Sequence, residues 1–547
     1  MMEDKTQNSP TDDIPTLNAG ASRTSTKSEK TGYRIESVFG RVNYNYQMKY
    51  LLSLVARYDG ISRLKDNRWG FFPGVSVGWN VTEEDFWKES KISEVISNIK
   101  PRLSYGVNGN VNGIGNFDIY GIYKQIGAGN YDGATAYYNS SLINTGLRWE
   151  QSRSFEAGLD LGFFNNRLSF IFDYYNRTTD DLLTDVNLPA YTGFSSMKTN
   201  LGKLRNSGFE MEVRANILSN AKGFNWEVSA NLTSVSNKVL KLPTSDKPFN
   251  QIDGYEVAAG LYNPETGETP TKWIGGYREG GKLGDMVGYV QNHIFRDWND
   301  VKANANMVID EVANLYGPGM ANEINPQTGV TYAESNGWKP IEPGDVCWED
   351  INKDGKINSL DRAVVGNIFP KVTGGFSTTL SYKNWSLYAR FDYALGHTIY
   401  NDLKARSLGQ YQGQFNIIDK VHDTWSETNP DTDLPVFTYA DQLNKKNITR
   451  SNNGNTAVDN NSSRFYEKGD YLALREITLS YSLPKKWIGK AGMQDASVYV
   501  TGQNLFYITG YDGVSPEPAV STVYGRGIDN GRYPTPRTLL FGLSVTF

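Results

Sequence analysis

The 547 residues contain a single cysteine, three histidines and no apolar run of the length a membrane helix needs. One cysteine, Cys347, excludes an intrachain disulfide framework and any multi-cysteine metal knuckle. The histidines, His293, His397 and His422, lie far apart, without the close pairing of a zinc motif. No stretch of about 18 apolar residues exists, so no helix would cross a bilayer. Charge of one sign is not concentrated either: 55 basic against 60 acidic residues leave −5, with no basic stripe for a nucleic-acid partner. The first residues, MMEDKTQNSPTDDIPTLNAGASRTSTKSEK, are polar and lack the apolar region of a signal peptide. Taken alone, that would keep the chain in the cytoplasm, which conflicts with all that follows.

What the chain has in abundance is glycine, at 54, and aromatic residues, at 13%. Such frequencies argue against disorder and for strands, turns and loops. From about residue 38, short runs alternate apolar and polar side chains. Phe209, Met211, Val213, Ala215 and Ile217 alternate with Glu210, Glu212, Arg214 and Asn216. Trp385, Leu387, Ala389, Phe391 and Tyr393 alternate with polar neighbours, Tyr388 being the exception. At the end of the chain Leu539, Phe541, Leu543, Val545 and Phe547 share a face, with Leu540 interrupting the other. Period two is the signature of a strand with one apolar and one wet side.

About thirteen such segments can be marked: 38–46, 50–58, 73–81, 101–107, 154–163, 167–176, 208–217, 225–234, 374–382, 384–393, 471–483, 496–506 and 538–547. Most approach the roughly 9–11 residues of a tilted transmembrane strand, whereas globular strands average about five or six. The links alternate between longer and shorter. Residues 235–373 form one very long insertion, while Lys383 alone turns the chain between two segments. An up-and-down barrel would place every long loop on one side and every short turn on the other. The pattern therefore predicts an all-β fold, a transmembrane antiparallel up-and-down β-barrel. A propeller would show a repeat of about 40–50 residues, and none is found. A soluble sandwich would have shorter strands and no reason to sort its links by length.

Thirteen is odd, whereas single-chain bacterial barrels have even strand numbers. Either a strand is hidden, with 119–125 and 286–295 as candidates, or strands are missing ahead of the first segment. The second reading makes residues 1–32 a polar loop remnant and residues 33–547 the C-terminal part of a barrel. It also predicts two unpaired sheet edges in this chain alone.

At this level of detail the chain resembles the SusC/RagA family of TonB-dependent outer-membrane transporters. The resemblance rests on SVFGRVNYNYQMKYLLSLVARYDGISR (37–63), NRWGFFPGVSVGWN (67–80), LSYGVNGNVNGIGN (103–116) and LRWEQSRSFEAGLDLGFFNNRLSFIFDYYNRTTDDLL (147–183). It continues in GFEMEV (208–213), YLALREITLSYSLPKKW (471–487), TGQNLFYITGYDGVSPE (501–517) and YPTPRTLLFGLSVTF (533–547). It implies a 22-stranded barrel with a plug, of which this chain would hold about the last thirteen strands without the plug or TonB box. It implies import of nutrient oligomers, glycans in most members and oligopeptides in some. The expected partners are a SusD-like surface lipoprotein acting as a lid, the TonB complex acting through a plug, and outer-membrane lipid.

The sharpest local motif is DINKDGKINSLD at 350–361, inside the long insertion. Asp350, Asn352, Asp354, Asn358 and Asp361 occupy positions 1, 3, 5, 9 and 12 of a calcium loop, and Lys356 at position 7 would offer its backbone carbonyl. Gly355 stands where the loop turns sharply, and Ile357 would anchor it by packing. Asp361 departs from the bidentate glutamate of an EF-hand and is closer to a dockerin-type loop. The expectation is a structural Ca2+; the alternative is an Asx-rich turn without an ion.

No catalytic set stands out. Gly113-Ile114-Gly115 lacks the third glycine of a dinucleotide fingerprint, and scattered carboxylates do not define a glycosidase pair. Aromatics in the long links, Trp273, Trp298, Trp338, Tyr411, Trp425 and Tyr524, would serve either sugar stacking and partner contact or packing of the loops on themselves. Two other functions remain open at this point: a soluble, secreted, calcium-stabilised glycan-binding β protein, and a passive porin-like pore.

Overall fold

The computed structural model describes residues 31–121, 123–131, 134–139, 141–244, 247–409, 419–437, 462–489, 492–517, 527–531 and 533–547, with the pairs 6–7 and 22–23. Among the described residues no helix is long and apolar enough to cross a membrane, which says nothing of strands.

Thirteen long strands form one sheet in chain order. They are β1 (Ile35–Tyr46), β2 (Tyr50–Ile61), β3 (Trp69–Trp79), β4 (Ile96–Asn110), β5 (Glu150–Phe163), β6 (Leu168–Asn187) and β7 (Ser196–Ala221). The rest are β8 (Phe224–Lys241), β9 (Val372–Tyr382), β10 (Trp385–Leu395), β11 (Tyr471–Ser482), β12 (Asp495–Thr509) and β13 (Thr538–Thr546). Every segment marked by alternation overlaps one of them. Neither candidate for a hidden strand joins this sheet: Tyr123–Tyr131 pairs with Ala134–Asn139, while Asp285–Tyr289 and Gln291–Ile294 pair with other parts of the insertion.

Several strands outrun their sequence signal. The marked segment 208–217 lies inside β7, which runs for 26 residues, more than twice the roughly 9–11 that cross a bilayer. Hydrogen bonding continues where alternation stops, because a ladder that has left the apolar medium no longer needs an apolar face. Ion pairs replace it there, as between Lys203 and Asp180 and between Arg148 and Asp181.

Register explains the two faces. Across β8 to β13, Trp226, Leu380, Leu387, Leu479, Val500 and Phe541 are direct cross-strand partners in one row. One row nearer the short turns stand Phe224, Tyr382, Trp385 and Tyr481. Their rings pair, Phe224 with Tyr382 at 4.1 Å and Trp385 with Tyr481 at 4.7 Å. The opposite face carries Asn225, Ser381, Ser386 and Ser480 in one row, with the Ser381 hydroxyl donating to Ser386 Oγ at 3.2 Å. A further row of that face reads Glu227, Thr379, Tyr388, Thr478, Thr501 and Leu540. Tyr388 and Leu540, which break the alternation in sequence, thus occupy the same row of the polar face. Apolar side chains on the other face stay exposed, Phe541 at 81% and Leu543 at 65%. A protein in water rarely shows so much contiguous apolar surface, and lipid is the medium it fits.

The chain divides into two compact units, Met1–Gly78 with Leu103–Glu156 and Arg177–Leu204, and Trp79–Arg102 with Ala157–Asn176 and Arg205–Phe547. In the first, Ile61, Leu64, Phe72, Val111, Ile114, Leu147 and Trp149 form a core at the long-link ends of the strands. Phe72 meets Trp149 edge-on at 5.3 Å. A Cβ at Gly109 would lie 2.1 Å from the Phe72 ring, so that ring requires glycine beneath it. In the second unit the insertion between β8 and β9 has cores of its own. One holds Phe295, Val301, Ala305, Leu315, Ile341 and Cys347; another holds Tyr289, Ile294, Val346, Trp348 and Ile357.

Candidate functional site: the Asp350–Asp361 loop and the long-link cluster

The 350–361 segment folds as a tight, side-chain-capped loop. Asp350 accepts the Gly355 N–H at 2.9 Å and the Asp354 N–H at 3.3 Å, and Asp354 accepts the Lys356 N–H at 2.8 Å. Gly355, at φ +80°, makes the turn that a side chain would strain. Asn352 donates its amide to Asp354 at 3.0 Å and to the Thr269 hydroxyl at 2.9 Å. Asp361 closes the loop by accepting the N–H groups of Ile351 at 2.9 Å and Asn358 at 2.8 Å. Asn358 caps the following turn by accepting the Leu360 N–H at 2.8 Å. Lys356 belongs to a short strand parallel to Ile309–Asp310, and its ammonium lies 3.8 Å from Glu311. Ile357 is buried in the second of the insertion cores.

The electrostatics of this loop are unbalanced. Asn352 and Asp361 are each only 1% exposed. Burial pushes the Asp361 carboxyl up to about 6; the N–H groups of Asn358 and Ile351 oppose that, while Asp350 and Asp354 add to it. Burial likewise raises Asp350, with Asp354 contributing like-charge repulsion. Three carboxylates influencing one another, with no ion pair to any of them among the described residues, are costly to ionise. Each oxygen that accepts one N–H keeps a second lone pair, so these groups fit a hard cation chemically. Among the described residues, however, no three His, Cys, Asp or Glu side chains converge as a metal-holding group. The loop brings Asp350, Asn352, Asp354 and Asp361 into one hydrogen-bonded unit and gives Asn358 to the cap.

Sequence reading gave no hint of a second cluster, which ties the links after β10 and β12 together. Its members come from segments up to 119 residues apart, so no local motif marks it. Arg475 on β11 donates to Asp392 at 2.8 Å, to the Tyr507 hydroxyl at 3.0 Å and to Glu517. His397, 5% exposed, sets Nε2 3.3 Å from the Pro516 carbonyl. A carbonyl only accepts, so Nε2 carries the proton. Asp512 receives Lys420 at 2.7 Å and Lys404 at 3.0 Å, which hold its carboxyl below the usual range. Tyr511 donates to Asp529 at 2.7 Å. Residues 510–517 are thereby strapped across the ends of β10, β11 and β12.

The aromatics of the long links divide. Trp338 is buried against Tyr332 at 5.0 Å, Trp273 and Trp425 are half-buried, and Trp298 is exposed. Tyr411 and Tyr524 lie outside the described residues. Cys347 is buried, and burial pushes its thiol up to about 12, a passive group at neutral pH.

A sheet of long antiparallel strands with one lipid-suited face and one hydroxyl-lined face defines a transmembrane β-barrel protein. Comparison with known proteins makes the class specific. The family described as TonB dependent receptor-like, beta-barrel, matches residues 3–306. TonB-dependent receptor P3 of Formosa agariphila is 31% identical over 93% of this chain and 45% of its own length. TonB-dependent receptor SusC of Bacteroides thetaiotaomicron is 30% identical over 95% of this chain and 45% of its own. Among solved structures, the RagAB peptide transporter superposes with a TM-score of 0.68 at 23% identity, covering 98% of this chain and 50% of that one. The chain belongs to the TonB-dependent receptor family, with SusC among its relatives, and is a protein of the outer membrane. It spans about half the length of the curated relatives it matches. Outer-membrane residence overturns both the cytoplasmic expectation drawn from the polar first residues and the soluble, secreted alternative. The polar first residues say nothing of the strands, and it was the alternation along the strands that carried the information.

Proposed function

We propose that this chain serves TonB-dependent import of nutrient oligomers, glycans rather than oligopeptides, across the outer membrane. The observation that carries the reading is the sorting of the links. The longest links, those between β4 and β5, β8 and β9, β10 and β11, and β12 and β13, all leave their strands at the end opposite the tight turns, where an exterior catchment belongs. A SusD-like surface lipoprotein would dock on those links as a lid, and the TonB complex would supply energy through a plug. Exposed Trp298 and half-buried Trp273 are of the kind that stacks on sugar rings.

The test is uptake of labelled oligosaccharides and oligopeptides by cells carrying or lacking the gene, with and without collapse of the proton-motive force. Oligosaccharide uptake that needs both gene and energy supports the reading. Gene-dependent but energy-independent uptake supports the passive pore. Uptake of peptides alone would transfer the reading to the other substrate class.

For the loop at 350–361 we propose a structural Ca2+ held by Asp350, Asn352, Asp354, Asn358 and Asp361 with the Lys356 carbonyl. The buried, mutually repelling carboxylates support it, since a divalent cation relieves their cost of ionisation. Its part is to pin the insertion.

A further inference from the structure

The short-turn end of the second unit carries a feature that neither import nor the calcium loop uses. Two tight links and the helical link that follows β11 are stitched side by side: the Lys383 N–H donates to the Gly223 carbonyl at 3.4 Å, and Asn384 donates its amide to the Ser482 carbonyl at 2.7 Å. Along this seam stand Lys222, Lys383, Lys485 and Lys486, all exposed. None has a carboxylate partner among the described residues, and the links themselves contain no acid; Asp495 follows at the start of β12. Immediately above lies the aromatic row Phe224, Tyr382, Trp385 and Tyr481 on the lipid-suited face. Lys383 sits 5.1 Å over the Tyr382 ring. In the last link Ile488 is buried while Trp487 is 63% exposed, so the tryptophan projects outward beside the two lysines.

We propose that this strip binds the phosphate of anionic phospholipid headgroups in the leaflet at the short-turn end. The argument is positional. Aromatic rings seek the boundary between acyl chains and headgroups, which fixes the depth of the row. The lysines follow in the links just beyond that row, with Lys383 over the Tyr382 ring, which puts their ammonium groups toward the level of the phosphates. Their flexible stems let them reach an anion while their methylenes lie along the rings. Four cations facing one acid give a local surplus that a zwitterionic headgroup does not satisfy and an anionic one does. The proposal rests on the sheet spanning the membrane.

The experiment refolds the full chain into dodecylmaltoside micelles doped with equal amounts of phosphatidylglycerol and phosphatidylcholine, and counts retained lipid by native mass spectrometry. The wild type is expected to retain phosphatidylglycerol over phosphatidylcholine by about threefold or more. Replacing all four residues together (K222Q, K383Q, K485Q and K486Q) is expected to bring the ratio close to one, and the matching Lys→Arg set to keep it. Equal retention by the wild type, or an unchanged ratio in the glutamine set, overturns the proposal. Failure of every variant to retain any phospholipid contradicts the membrane-spanning sheet itself, a separate outcome from loss of headgroup preference.

Discussion

At the scale of single residues, the arrangement depends on a few polar groups placed where water is scarce. Arg475 satisfies Asp392, Tyr507 and Glu517 at once. Arg475→Ala leaves two carboxylates without their cation and should cost about 1–3 kcal/mol, the partners being partly solvated. The expected readout is earlier proteolytic cutting within 510–517, with the sheet unchanged by circular dichroism. In the 350–361 loop, the proposed Ca2+ site predicts that Asp350→Asn together with Asp354→Asn weakens Ca2+ binding by about tenfold or more in isothermal titration calorimetry. Gly355→Ala should destabilise the loop by about 1–2 kcal/mol, because φ at this position is +80°. Asp512 sets a pH limit on the strap. Its folded-state carboxyl is depressed by Lys420 and Lys404, so its contribution is present above the ordinary carboxylate range and lost as pH falls through the lowered value. Protection of the 511–517 amides, corrected for intrinsic exchange, should be constant near neutrality and decline below about pH 4. The half-exposed carboxylate keeps the effect under about 1 kcal/mol.

At the scale of elements, alternation in sequence translated into faces of the sheet, and register explains where it failed. Leu387 lies in an apolar row from Trp226 to Phe541, and Ser386 lies in a hydroxyl row with Ser381 and Ser480. Leu387→Lys should cost about 2–4 kcal/mol in a lipid-embedded strand, whereas Ser386→Lys, one residue away, should be nearly neutral; the comparison is made on urea midpoints in micelles. Strand existence was legible because each of these rows repeats a simple physical demand. Strand ends were not, since β7 continues past Gly208 into water, where Lys203 and Asp180 pair and no apolar face is needed. The turn at 350–361 was legible because the carboxylates of Asp350, Asp354 and Asp361 accept N–H groups from within the same twelve positions, whereas its bond from Asn352 to Thr269 was not. The Arg475 and Asp512 clusters were not, because they join residues such as Asp392 with Arg475 and Lys420 with Asp512, which only the fold brings together.

For the whole molecule, membership of the TonB-dependent receptor family and the two-faced sheet make the same statement about medium. One side of the strands meets hydrocarbon and the other meets water. The hydroxyl ladders, Ser229 to Ser377 at 2.8 Å and Thr478 to Thr501 at 2.8 Å, line the wet side. The most direct test places an environment-sensitive fluorophore on single cysteines introduced one at a time along β10, from 385 to 391, after Cys347→Ser, with the chain in phospholipid vesicles. We predict alternation: bright, blue-shifted emission at 385, 387, 389 and 391, quenched by brominated lipid, and dim, iodide-accessible emission at 386, 388 and 390. Uniform water accessibility along the strand would contradict a membrane-spanning sheet.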